Sequence, residues 1–290
     1  MNPSEARIVL TGANGGIGRE TAAAFIGAGA SVLLVGRSAA QLSALSRSIQ
    51  TTAREHAGRI AWQVADLGKA AQVGELGGIA TEWRCNVLVH AAGVPCFGAL
   101  ETVDAETMRR VLDINLLAPM GLTQALLPHL RAQARAQVIF VGSALGRIGL
   151  PGFSIYSASK FGLRGFAESL RRELSGTGIR VQYVGPRSTR TTFNDAAVQA
   201  YNAATGTAMD SPGRVAQTLL RSLQDGAAER FIGFPERLAV RINGAVPTLL
   251  DGSFAKHRRS VQSPSAVGAS PAQRSDRPAT SSIESSGVPR

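Results

Sequence analysis

Thr11-Gly12-Ala13-Asn14-Gly15-Gly16-Ile17-Gly18 is the stretch on which the reading of this chain turns. Arg7–Leu10, just before it, has the aliphatic content of a strand, and Gly16–Gly27, which it opens, has a helical pattern. A glycine-rich turn from strand into helix lets the backbone approach a pyrophosphate, while the helix amino terminus offers amide donors and positive potential. Glycine clusters also serve ordinary tight turns. The strand before this one and the helix after it are what point to a nucleotide site.

Outward from that turn, short β-rich runs alternate with longer helical patterns, which predicts repeated βαβ units around a parallel sheet of an α/β domain. The further strands are expected at Ser31–Val35, Arg59–Val64, Val87–His90, Gln137–Val141, Ile179–Val184 and Arg230–Ile232. Most lack strict alternation, as expected of strands covered on both faces. Helices are expected at Gly16–Gly27, Ala39–Glu55, Lys69–Trp83, Asp104–Arg131, Ser154–Ser175 and Ser211–Asp225. Arg187–Asp210 is long, rich in Thr, Ala and Asn and without a clear period, and is read as a lid or binding loop.

Residues 1–235 are expected to form one catalytic domain, 236–259 a basic extension, and 260–290, rich in Ser and Pro with no aromatic, a disordered tail. The extension combines Leu238, Val240, Ile242, Val246 and Leu249 with Arg237 and Arg241, and Lys256-His257-Arg258-Arg259 follows. It can lie on an anionic membrane, or pack against the body or a second subunit; Pro247, which interrupts any single helix, favours packing.

Net charge is +11, from 31 Lys and Arg against 20 Asp and Glu, but the arginines are scattered and aromatics make up only 5% of the chain. That composition argues against a stacking nucleic-acid surface and for a solvated basic one. No apolar run approaches the roughly 20 residues of a membrane span. Two cysteines and no charged-then-apolar leader lead to the expectation of a reducing, cytoplasmic setting. No metal site is read from the chain.

Dinucleotide folds that prefer NAD place an acid about 20 residues beyond the glycine turn. Gly36-Arg37-Ser38 stands there instead, and Arg37 can pair with a 2′-phosphate, which favours NADP over NAD. Tyr156-Ser157-Ala158-Ser159-Lys160 opens a helical pattern and puts the phenol and the ammonium on one face. A neighbouring ammonium favours the phenolate, so Tyr156 can exchange a proton with a carbonyl or alcohol oxygen. Ser143, at the carboxyl end of an expected strand, can orient that oxygen.

With these residues in this order, the chain resembles the short-chain dehydrogenase/reductase family. The resemblance runs from about Arg7 to Thr192. It is carried by Thr11 to Gly18, Asp66, His90-Ala91-Ala92-Gly93, Asn115, Ser143, Tyr156 to Lys160, and Pro186 with Thr191. It implies a Rossmann-type, doubly wound sheet of about seven parallel strands, with Asn115, Ser143, Tyr156 and Lys160 as the catalytic set. Asn115 is expected to hold a water in the proton relay to Lys160. The cofactor residues it implies are Thr11, Gly12, Asn14, Gly15, Gly16, Ile17, Gly18, Arg37, Asp66, Leu67, Ala92, Gly93, Asn115, Tyr156, Lys160, Pro186, Thr189 and Thr191. A homo-oligomer, dimer or tetramer, is implied as well.

The expected activity is NADPH-dependent interconversion of a carbonyl and a secondary alcohol. The alternative is a non-catalytic NADP-binding regulator, which ordinarily has lost the Tyr, the Lys or the Ser; this chain keeps all three. Two positions depart from the family pattern. His90-Ala91 stands where paired asparagines are usual, and His90 is read as structural. Arg187 replaces the glycine that usually follows Pro186, close to the nicotinamide carboxamide, and is expected to alter the pocket there.

Overall fold

The computed structural model describes residues 1–233 and 236–262. Its strands are β1 (Arg7–Thr11), β2 (Ser31–Gly36), β3 (Ile60–Val64), β4 (Val87–His90), β5 (Ala136–Val141), β6 (Ile179–Gly185) and β7 (Glu229–Phe231), each within one residue of its expected bounds. All are parallel, in the order β3-β2-β1-β4-β5-β6-β7. The helices are α1 (Gly16–Gly27), α2 (Ala39–Thr52), α3 (Ala70–Glu82), α4 (Ala105–Leu112), α5 (Ala118–Arg131), α6 (Ser154–Glu173), α7 (Ala196–Thr205), α8 (Pro212–Asp225), α9 (Glu236–Ala245) and α10 (Ala255–Gln262).

Successive side chains of one strand enter two different cores. Val9, Leu33, Leu88, Val138 and Val181 pack with Leu76, Leu122, Leu126, Leu163 and Leu170, from α3, α5 and α6. Their neighbours Ile8, Val32, Val87 and Ile139 pack with Phe25, Ile26, Leu42 and Leu219, from α1, α2 and α8 on the opposite face. With both faces covered, the strands read as aliphatic runs. Polar residues in them are few, and two are tied down: Gln137 and Gln182 donate to Leu223 O (3.1 Å) and Ser222 O (2.6 Å) at the end of α8.

The expected helix at 104–131 is one rod, capped by Asp104, whose carboxylate accepts from Thr107 N at 2.7 Å. A π-helical turn, Asp113–Leu117, joins α4 to α5 within it. By length, and by a mean hydropathy of 1.2 over its most apolar 18 residues, this rod is apolar enough to cross a membrane, which the sequence reading did not register. Here Leu122, Leu126 and Leu130 seal it into the core.

Two elements differ from expectation. The stretch Arg187–Asp210 is not irregular throughout, because Asp195 caps α7, accepting from Val198 N at 2.9 Å, and Val198, Tyr201 and Asn202 bury one face. The two ends of this lid are joined. Arg187 grips Asp210 through Nε and Nη2, both at 3.1 Å, and Arg214 Nη1 reaches the same carboxylate at 2.9 Å. Main-chain bonds Asp210 N to Ser188 O and Arg190 N to Asp210 O, both 2.9 Å, lie beside them.

The extension packs on the body. Val240 is buried against Ala144 and Ile148, and Asn243 donates to Arg147 O at 2.7 Å. Residues 260–262, assigned by sequence to the disordered tail, instead complete α10, where Val261 lies against Gly152. The rest of the expected tail lies outside the described residues.

Asp210 is 1% exposed, so Asp210→Ala takes a bidentate acceptor from a nearly buried guanidinium and should cost about 3–5 kcal/mol. Arg214→Ala, at a side chain 57% exposed, should cost less than about 1 kcal/mol. Urea unfolding of both variants, with equal losses as the contrary result, measures whether the lid is anchored at this carboxylate.

Candidate active site

At the carboxyl edge of the sheet the chain departs in opposite directions from β1 and β4, and a cavity of about 950 Å³ opens there. Such switch points are where open α/β sheets bind ligands. Gly12 begins the turn at φ +68°, and a Cβ on it would stand 2.6 Å from the backbone of Ala92, so only glycine brings the two loops this close. Gly15, at the head of α1, provides no side-chain cap, which leaves the first amides of the helix to other acceptors. Asn14 Oδ1 is buried without a hydrogen-bond partner. Uncapped amides and a glycine-lined wall fit a bound dinucleotide phosphate, and the orphaned oxygen, an acceptor, fits a hydroxyl of such a ligand.

Of the residues expected at the cofactor, Gly12, Asn14, Gly15, Gly16, Ile17, Gly18, Arg37, Asp66, Leu67, Ala92, Gly93, Tyr156, Lys160, Pro186, Thr189 and Thr191 all line the cavity. Thr11 and Asn115 do not; both lie fully buried behind its wall. Thr11 Oγ1 accepts from Ala91 N and Ala92 N at 3.2 and 3.3 Å and so fixes the loop after β4. Asn115, in the π turn, accepts from Val94 N at 2.8 Å and donates to Val94 O at 3.0 Å and to Ser159 Oγ at 3.2 Å. A Cβ at Gly93 would lie 3.2 Å from Asn115 Oδ1 and 3.7 Å from Lys160 Nζ, so the glycine keeps the space between amide and ammonium open.

Ser143, Tyr156 and Lys160 meet on one wall. Ser143 Oγ accepts from Leu145 N at 3.0 Å, and its side chain is the polar neighbour that favours the Tyr156 phenolate. Lys160 donates to Val141 O at 3.3 Å, with Nζ 5.7 Å from the centre of the Tyr156 ring. The sequence led to the expectation that the lysine pulls the phenol down, but burial dominates both groups. It pushes Tyr156 up to about 12, against the opposing effect of Ser143, and lowers Lys160 to about 8. At neutral pH the protein by itself therefore holds a protonated phenol.

Residues 6–202, which include the glycine turn and all four catalytic candidates, match the family model described as short chain dehydrogenase. The chain belongs to the short-chain dehydrogenase/reductase family. The dehydrogenase/reductase SDR family member 7B of Xenopus laevis is 31% identical to it over 259 residues, 83% of this chain and 78% of that protein. A short-chain dehydrogenase from Sphingobium yanoikuyae, solved in complex with NADPH, is 25% identical with a TM-score of 0.72, over 84% of this chain and 94% of its own. A short-chain dehydrogenase from Streptomyces avermitilis superposes with a TM-score of 0.73 at 24% identity, over 86% and 96% of the two chains.

In this short-chain dehydrogenase/reductase the two departures have structural explanations. His90 is buried, stacks on Phe140 with ring centres 4.9 Å apart, and pairs through Nε2 with Thr123 Oγ1 at 2.9 Å. Burial lowers it to about 3, so it is a neutral strut. Arg187 lines the cavity, yet its guanidinium turns to Asp210.

Tyr183 was not foreseen as a site residue. Its hydroxyl accepts from Ser143 N and donates to Ser143 O, both at 3.0 Å, and so holds Ser143 by its backbone. Gly142 belongs to the same arrangement, since a Cβ there would meet the Tyr183 hydroxyl at 2.1 Å. An aromatic inside an aliphatic strand that leads toward Pro186 was the available signal. Tyr183→Phe keeps the ring and strands the buried Ser143 N–H, while Ser143 O keeps its bond from Gly146 N at 3.0 Å, so it should lower stability by about 1–3 kcal/mol. Thermal unfolding and a crystal structure of the variant check this; an unmoved Ser143 at full stability would count against the anchor.

Proposed function

We propose that the protein is an NADPH-dependent oxidoreductase that interconverts a carbonyl and a secondary alcohol. The observation that carries this reading is the convergence of the Ser143 hydroxyl, the Tyr156 hydroxyl and the Lys160 ammonium on the wall of a cavity whose other end is the glycine turn. Gly12 and Asn14 to Gly18 would receive the pyrophosphate on the amides of α1. Arg37, exposed at the end of β2, would take the 2′-phosphate, and Asp66 and Leu67 would flank the adenine. Ala92, Gly93, Pro186, Thr189 and Thr191 would bound the nicotinamide end, with Lys160 on its ribose. The NADPH held by the Sphingobium yanoikuyae relative supports this assignment.

When bound, NADPH supplies the hydride that reduces the carbonyl carbon and leaves as NADP⁺. Ser143 steadies the substrate oxygen, and Tyr156 delivers the proton that turns it into a hydroxyl. A phenol raised by burial is already in the donor form that reduction needs. Lys160, one helical turn along α6, and Asn115 behind it, against Gly93, are placed to return a proton to Tyr156. The same proposal places the protein in a reducing cytoplasmic setting, as a dimer or tetramer; Cys85 and Cys96 are both free thiols.

With NADPH and a ketone that is turned over, Tyr156→Phe should lower kcat by about 10²–10⁴-fold, while NADPH affinity measured by fluorescence titration stays within about threefold. Reduction uses protonated Lys160, so kcat/KM should be level below pH 8 and fall as pH rises through about 8. Full activity in the phenylalanine variant would remove Tyr156 from the reaction, and a level profile to pH 10 would remove the lysine.

Arg37→Asp replaces a cation with an acid that repels the 2′-phosphate and can bind ribose hydroxyls. The ratio of kcat/KM for NADPH over NADH should drop by about 100-fold, which corresponds to the 2–3 kcal/mol of a charged hydrogen bond. An unchanged ratio would place the 2′-phosphate elsewhere.

A further inference from the structure

The residues assigned to cofactor and catalysis account for one end of the cavity. Its other end, beyond Tyr156, is built from three separate segments: Phe153 at the head of α6, Phe193 and Tyr201 from the lid, and Phe254 and His257 from the extension. Aromatics are only 5% of this chain, yet here they form one connected set. Phe153 lies 6.4 Å from Tyr156 and 5.4 Å from Tyr201, and Phe193 lies 5.9 Å from Tyr156, centre to centre. His257 lies 5.5 Å from Tyr201 and 5.6 Å from Phe254.

Charge is nearly excluded from this end. Among the described lining residues the one carboxylate is Asp66, at the dinucleotide end after β3, and Arg110, one helical turn before the Ile114 that stands with Asp66 around Gly68, belongs to that end too. The guanidinium of Arg187 is turned onto the buried Asp210. Tyr201 OH and His257 Nδ1 are 2.7 Å apart, a bond that ties the lid to α10. Burial raises the Tyr201 phenol, and burial with Lys256 lowers His257, so both are neutral and share one hydrogen bond. Such a surface offers a ligand area to bury and π faces to lie on.

We propose that the substrate is a bulky, uncharged, mostly apolar ketone or the matching secondary alcohol, packed against Phe153, Phe193, Tyr201 and Phe254 with its oxygen toward Tyr156. The Tyr201–His257 bond closes this cup and sets the size of what it holds. The proposal rests on the oxidoreductase reading above. A small carbonyl compound such as acetone leaves the cup unfilled, and an anion such as pyruvate meets no cation there to offset its desolvation.

The test uses the full chain with NADPH and compares 2-decanone and 1-decalone with acetone, pyruvate and 9-oxodecanoate, a ketone of the same length ending in a carboxylate. The two bulky ketones should exceed acetone in kcat/KM by about 100-fold or more, since each buried methylene is worth about tenfold or more. The terminal carboxylate should lose at least about tenfold. His257→Ala, which removes the hydrogen-bond partner of Tyr201, should narrow the ratio of 1-decalone to acetone by about tenfold. Equal or better use of acetone or pyruvate overturns the proposal while leaving the oxidoreductase reading in place. Should no carbonyl be reduced, that reading falls, and the unfolding temperature with NADPH decides the cup. A rise with 1-decalone but not with pyruvate upholds it, and no rise with either overturns it.

Discussion

Covering both faces of a parallel sheet leaves its polar chemistry one place to stand, the carboxyl edge where strands turn into loops. The five inner strands, β1, β2, β4, β5 and β6, send alternate side chains into one or the other of two sealed cores. Ser143 stands just past β5, Pro186 just past β6 and the glycine turn just past β1. Helix α6 crosses below that edge and brings Tyr156 and Lys160 up to it. The site is thus a consequence of how the sheet is buried, with the lid and the extension laid over it.

The same burial sets the state of the reacting groups. A phenol and an ammonium taken from water both resist their charged forms, and here desolvation is the largest influence on each. The outcome suits a proton donor whose base form is wanted only when another positive charge arrives. It also explains why the serine has to be held rigidly: its hydroxyl is the polar neighbour that draws Tyr156 partway back. Tyr183 holds that serine from a strand, and strands move less than loops.

Much of this was legible in the chain itself. The inner strands showed as aliphatic runs because a polar group on either covered face needs its own partner, as Gln137 and Gln182 have. The glycine turn and the Tyr156-to-Lys160 spacing were legible because phosphate approach and helical pitch admit few alternatives. Contacts between residues far apart in sequence were not. Arg187 could be flagged as unusual, but its partner Asp210 is 23 positions away and carries no mark in the sequence. α7 was hidden by a Thr-, Ala- and Asn-rich composition that resembles a loop, and its helical state follows from the Asp195 cap and the buried Tyr201. His257, read only as part of a basic run, owes its role to a phenol 56 residues earlier.

The π turn at Asp113–Leu117 adds a constraint of a different kind. Ala118 N reaches back five residues to Asp113 O, so the rod carries one residue more than regular helical pitch would hold. Removing any one of these residues would restore that pitch and swing Asn115 by about 100° around the axis, away from Val94. Side chains along the outer face of the rod are therefore free to vary, whereas its length is not. Related chains that keep this asparagine should change by replacement along this helix and never by shortening it.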